Sequence, residues 1–144
     1  MPQANDPIPL SAHGQPCPCG SGATLRDCCL SRLMGEQPAR TAEQLMRSRY
    51  TAHVFAQISY LWDTWSPAQR QRSNPAEIRA WATSCDWLGL QILATKAGQP
   101  NDSEGQVTFV ALFRQDGQLH QHHEVSLFRQ VMGRWFYVDH VSAE

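Results

Sequence analysis

The chain's 144 residues carry almost no net charge, −1 with histidine neutral. That lack argues against nucleic acid as a partner, because phosphate binding needs a basic footprint. The balance holds locally: residues 1–40 set Arg26, Arg32 and Arg40 against Asp6, Asp27 and Glu36. No apolar run reaches the length that spans a membrane. Met1 to Gln15 has neither the basic start nor the apolar stretch of a secretory signal. Phosphate loops, dinucleotide fingerprints and internal repeats are missing, and Gly20 and Gly22 have no strand before them. Ser126 sits in no nucleophile-elbow sequence. What remains has the length of one domain with a small appendage, and its expected place is the cytoplasm.

The appendage is where the chemistry is sharpest. Four of the five cysteines fall in one short stretch, Cys17-Pro18-Cys19-Gly20-Ser21-Gly22 and then Cys28-Cys29. Structural Zn²⁺ takes four tetrahedral ligands and favours thiolate. Gly20 and Gly22 let the loop take positive φ and turn its amides toward sulfur, while Pro18 fixes one φ and lowers the cost of closing it. Thr24 to Leu30 reads as a short helical turn that returns Cys28 and Cys29 to the metal. The competing readings are disulfides and free thiols. Disulfides need an oxidising compartment, and neither the two-apart nor the adjacent pair makes an easy local bridge. The reading is one structural zinc ion on Cys17, Cys19, Cys28 and Cys29. With all four ionised, the net charge falls to about −3. Loss of Cys17 is expected to unfold this module alone.

Residues 1–16 hold little to bury and read as a flexible tail, residues 17–34 as the zinc-binding module, and residues 41–141 as an α+β domain. Thr41 caps a first helix, with Gln44 reaching back as in a capping box. A second short helix runs from Ile58 and is ended by Ser66-Pro67. Asn74 and Pro75 open a third, with Ile78, Trp81 and Ala82 as its buried face. From Trp87 the period shortens to that of a strand, with Leu88, Leu90, Ile92 and Ala94 on one face. Val107 to Arg114, Leu119 to Gln130 and Arg134 to His140 supply three more strands, and Asp116-Gly117 marks a hairpin. Helices first and then an antiparallel meander define an α+β pattern.

The cysteine stretch resembles the SEC-C motif, the zinc module at the C-terminal tail of the SecA translocation ATPase. Leu45-Met46-Arg47-Ser48-Arg49-Tyr50, Trp87-Leu88-Gly89-Leu90, Glu124-x-Ser126-x-Phe128 and Trp135-x-Tyr137-x-Asp139 extend the likeness to the YchJ family of SEC-C proteins. His140 departs from the glycine that relatives often carry there. The resemblance implies a cystatin-like, nuclear-transport-factor-2-like cone of helices on the concave face of a curved antiparallel sheet.

Candidate site residues beyond the cysteines are Arg49, Tyr50, Glu124, Ser126 and Tyr137, expected to line a pocket in the cone, with a buried Arg49–Glu124 ion pair as one arrangement. His120, His122 and Glu124 share a strand face and could hold a metal; the competing reading, adopted here for these two and for His123, is a polar face near a hairpin. Trp62, Trp65, Trp81, Trp87 and Trp135 serve as core or as the wall of an aromatic cavity. Cys85 reads as a buried thiol with no base beside it. The expected function is a protein-interaction or adaptor module with a protein partner, by analogy with the partner-binding module of SecA. The alternative is an enzyme or ligand-binding protein that uses the cone, with Glu124 and Tyr50, Tyr137 or Asp139 as acid and base. Dimerisation across an open sheet face is compatible with either.

Overall fold

The computed structural model describes residues 5–142. Two short helices, α1 (Leu10–His13) and α2 (Leu30–Leu33), flank the cysteines. Then come α3 (Ala42–Val54), α4 (Ile58–Asp63), α5 (Pro67–Arg70) and α6 (Pro75–Ser84). The strands β1 (Asp86–Ala97), β2 (Glu104–Gln115), β3 (Gln118–Val131) and β4 (Arg134–Ser142) form one antiparallel sheet in the order β1-β2-β3-β4. Among the described residues, no helix is long and apolar enough to cross a membrane.

Local chemistry sets the boundaries. Thr41 Oγ1 accepts the Gln44 amide at 3.0 Å, and Gln44 Oε1 accepts the Arg40 amide at 2.8 Å. The Gln44 amide is an orphan donor of the helix start, and the Arg40 amide belongs to the residue just before the cap. Asn74 Oδ1 does the same for Glu77 at 3.0 Å, with Pro75 at the first helical position. Ser66-Pro67 ends one helix and also starts another: Pro67 is the first residue of α5, where its missing N–H costs nothing. Asp116-Gly117 and Met132-Gly133 both take positive φ at two successive residues, the geometry of the tight hairpin turn.

The core lies between α3 and the inner face of the sheet. Leu45, Met46 and Tyr50 meet Val107, Phe109, Ala111, Phe128 and Trp135 there. Ala52, on another face of α3, joins Ile58, Leu61, Ile78 and Ala82. α3 is therefore buried on more than one side, which its sequence pattern does not show.

Several expectations need correction. Leu88 does not share a face with Leu90 and Ile92. A bulge between Trp87 and Gly89 inserts it as the extra residue, so Trp87 pairs with Phe113, Leu90 with Ala111 and Ile92 with Phe109, while Leu88 is exposed. Trp81 is 43% exposed rather than buried with Ile78 and Ala82. The turn carrying Cys28 and Cys29 is not helical; α2 begins at Leu30, where the expected helix ends. Residues 5–16 are also not a loose tail. Asn5 Oδ1 accepts the Ser59 amide at 2.9 Å, Asp6 pairs with Arg79 at 3.1 Å, and Ile8 and Ala12 pack on the cysteines. Residues 1–4 of the tail lie outside the described residues.

The docking of α3 onto the sheet depends on two glycines. A Cβ on Gly105 would lie 2.4 Å from Gly98 Cα and 2.7 Å from Gly98 N, both backbone atoms. Gly98 O in turn accepts the Ala42 amide at 3.0 Å, at the first turn of α3. Gly105→Ala is expected to destabilise the protein by about 1–3 kcal/mol, the range of an overpacked core. Urea unfolding checks this, with the exposed Gly117→Ala hairpin variant as the comparison for backbone strain without crowding.

Candidate metal centre and ligand cavity

The knuckle that carries Cys17 and Cys19 is closed by backbone bonds. Cys17 N donates to Ala23 O at 2.8 Å, Gly20 N to Cys17 O at 3.1 Å, and Pro16 bridges Thr24. Gly20 and Gly22 take φ of +80° and +94°, and a Cβ on Gly20 would meet Leu90 O at 3.0 Å. The four sulfurs lie within 4.8 Å of one another. Cys19 and Cys28 are 3.6 Å apart and Cys28 and Cys29 3.8 Å. A tetrahedron with metal–sulfur bonds of about 2.3 Å has sulfur–sulfur edges of about 3.8 Å, whereas a disulfide is about 2.05 Å. The spacing thus fits four ligands around one ion, and all five cysteines are free thiols.

Electrostatics say the same. Hydrogen bonds from Cys17 and Cys29 hold Cys19 down as thiolate, burial pushes Cys28 up, and hydrogen bonding to Cys17 and Cys19 pushes Cys29 up. Four ionised thiols this close need a positive charge among them.

The module is not separate from the domain. Arg47 Nη1, on α3, donates to Cys19 O at 2.7 Å while its Nε holds Glu43 at 2.9 Å. Cys17 Sγ lies 3.7 Å from Thr51 Oγ1. Leu90 of β1 and Phe55 pack on the cluster from the domain side.

A cavity of about 360 Å³ opens in the cone. It is lined by all five residues read as pocket candidates, Arg49, Tyr50, Glu124, Ser126 and Tyr137, with Trp65, Trp81, Trp87 and Phe113 among its aromatic walls. Trp62 and Trp135 are instead packed in the helical and central cores. Glu124 accepts from His122 Nε2 at 2.8 Å, from Tyr137 Oη at 2.8 Å and from Ser126 Oγ at 2.5 Å. Burial opposes its ionisation, but these three bonds outweigh burial and hold it at about 2. The bond to Glu124 raises His122, and burial raises Tyr137.

The expected direct pair of Arg49 with Glu124 is not made. Arg49 lies over the Tyr137 ring at 5.1 Å, and Tyr137, not Arg49, reaches the carboxylate. Arg49 Nη1 donates to Leu61 O at 2.9 Å and to Thr64 Oγ1 at 2.6 Å. The histidines do not converge: His120 stacks on Phe113 at 5.1 Å, His122 is bonded to Glu124, and His123 follows on the opposite face of β3. Among the described residues, the cysteines are the group of three or more that has metal-ligand geometry. Asp139 is half exposed beside His140, away from the cavity lining, and Cys85 is buried near Ser84.

His53 was not foreseen. It lines the cavity against Trp87, with ring centroids 5.2 Å apart. Its Nδ1 is 2.9 Å from Arg49 O. A carbonyl can only accept, so Nδ1 carries the proton and Nε2 is left as an acceptor. Burial and then Arg49 push its pKa down to about 4. Its place one turn after Arg49 on α3 was the available signal.

The cysteine knuckle docked on a helix-filled cone defines the class: a SEC-C module joined to an NTF2-like domain. The model of the SEC-C motif matches residues 15–31, and that of "YchJ, middle NTF2-like domain" matches residues 41–140. The chain belongs to this YchJ family, whose similar members carry the name UPF0225. It is 46% identical over 123 residues to UPF0225 protein GSU1048 of Geobacter sulfurreducens, covering 85% of this chain and 76% of that one. The solution structure of RPA3114, a SEC-C motif containing protein from Rhodopseudomonas palustris, superposes with a TM-score of 0.81 at 36% identity, over 89% of this chain and 98% of that one. A SEC-C motif containing protein from Psychrobacter arcticus gives 0.78 at 30% identity, over 90% and 84%.

Proposed function

We propose that the four cysteines hold one structural Zn²⁺ ion and that the cone is a receptor for a small molecule. The observation that carries the second part is the cavity itself. Its volume of about 360 Å³ falls in the range of ligand sites, and it joins apolar walls to a few convergent polar groups. Zinc is supported by the sulfur spacing, and its role as structural by a donor set of four protein thiols that leaves no position for water. The cluster of reduced thiols suits the cytoplasm.

Acid–base catalysis by Glu124 and Tyr137 as a pair is disfavoured for a physical reason. A general base works best with a pKa near the operating pH. Glu124 is held at about 2, and Tyr137 is raised by burial. Neither is poised to move a proton.

Elemental analysis of protein purified without chelator should give one zinc per chain, absent from the Cys19→Ser variant; no metal, or metal retained by that variant, would sink the zinc reading. For the cavity, a fragment screen should shift the indole N–H signals of Trp65, Trp81 and Trp87. Ala111→Phe, which fills the cavity from β2, should abolish those shifts. Persistence of the shifts in that variant would place binding elsewhere.

A second reading keeps the adaptor role. Leu10 and Met34 are 82% and 62% exposed on and beside the short helices of the module, an apolar outer surface for a protein partner. A partner captured by the native protein and lost with Leu10→Ser and Met34→Ser together would support it; capture unchanged by both would not.

A further inference from the structure

We propose that the ligand of the cavity is an organic monocarboxylate with a flat aromatic body, and that Arg49 receives its carboxylate. The proposal rests on the reading of the cone as a small-molecule receptor and names what that receptor takes.

Arg49 is the reason. Its side chain lines the cavity yet the residue is only 8% exposed. A guanidinium carries five N–H donors in a planar fork. Nη1 spends its two on Leu61 O and Thr64 Oγ1, just at the end of α4. Nε and Nη2 find no hydrogen-bond acceptor among the described residues, and no carboxylate there forms an ion pair with the group. Glu124 already accepts from His122, Ser126 and Tyr137, and the guanidinium faces the Tyr137 ring instead of the carboxylate. Burial pulls Arg49 down only to about 10, so the group is charged at neutral pH.

A buried cation without a counter-charge is costly, and a carboxylate would remove that cost. Its two oxygens match the one free edge of the fork, formed by Nε and Nη2. A phosphate dianion fits less well: Arg49 is the one cation in the lining without a carboxylate partner, since His122 is bonded to Glu124, whose own charge adds repulsion. The body of the ligand follows from the walls. Trp65, Trp81, Trp87 and Phe113 offer ring faces and edges to a planar apolar group. His53 Nε2 is an acceptor and repels an anion, which leaves Arg49 as the anchor for the acid.

The test uses the full-length, zinc-loaded protein and three matched probes: 2-naphthoate, 2-naphthamide and 2-naphthylmethylammonium. Binding is read from the indole signals of Trp81 and Trp87 and from calorimetry. Naphthoate should bind about tenfold or more tightly than the amide, as one charge-assisted hydrogen bond implies, and the ammonium should bind weakest. Arg49→Gln should reduce naphthoate to the affinity of the amide and leave the amide unchanged. Arg49→Lys should recover part of the loss. Equal affinity for acid and amide, or preference for the ammonium, would overturn the assignment while leaving the cone as a receptor. Failure of all three probes to bind would overturn the receptor reading and the assignment together. If the Arg49 variants do not fold, the ranking of the probes on the native protein still decides.

Discussion

Replacing Cys19 by Ser is expected to abolish metal binding and to lower the thermal midpoint of the whole protein by roughly 10–20 °C. Structural zinc in small modules supplies on the order of 10–16 kcal/mol of apparent free energy, most of it used to fold the module itself. The loss does not stop there, because the knuckle is seated on the domain. Arg47 would lose Cys19 O, held at 2.7 Å. Thr51 would lose Cys17, and Leu90 and Phe55 would lose the surface they pack on. Exposing such a contact surface costs about 3–5 kcal/mol, the size of a large core truncation, and each kcal/mol moves the midpoint by roughly 3–4 °C in a chain of this size. Calorimetry of the native, chelator-treated and Cys19→Ser proteins measures it. The expectation from sequence, a module that unfolds alone, predicts instead an unchanged midpoint for the domain; that outcome would show that the contacts to α3 and β1 contribute nothing.

Stability should fall by roughly 3 kcal/mol as pH drops from about 6.5 to about 4, through His53. Its folded pKa is pushed down from 6.5 to about 4 by burial and by Arg49. Between those values the unfolded chain binds a proton and the folded one does not, so stability rises with pH across that window and is lost as pH falls. The other groups in the cavity act elsewhere. Glu124, held down to about 2, contributes stability that is lost only below its unfolded value near 4.5. His122 is raised, so its contribution is complete below about 6.5 and fades as pH rises, and its exposure keeps it small. Acid also strips zinc by protonating thiolates. His53→Gln separates these effects, because the variant keeps the cysteines and a donor for Arg49 O. Urea unfolding near pH 7 and near pH 4.5 should show a smaller loss in the variant by most of that amount. Equal losses in both proteins would mean that His53 protonates freely in the fold.

Much of the site was legible because its information is local. A metal knuckle needs four thiols at fixed short spacing and glycines where φ is positive, and residues 17–29 spell that out. The same holds for the helix starts at Thr41 and Asn74, whose caps act within three residues. Strand alternation places Glu124 and Ser126 on one face, which is where the cavity lies. Arg49 and Tyr50 on α3 needed the family resemblance. His53 escaped because a lone histidine on a helix carries no motif, and its one signal was its place a turn after Arg49.

By itself the sequence determined the cysteine cluster, the α+β order of elements and the hairpins, since each depends on spacing, capping or turn chemistry between near neighbours. Tertiary structure alone decided what meets across long separations. It gave Glu124 to Tyr137 rather than to Arg49 and turned Leu88 outward at a bulge. It also seated the cysteine knuckle on Arg47, Thr51 and Leu90. These outcomes depend on packing between elements dozens of residues apart, where no local pattern records which side chain will win a shared partner.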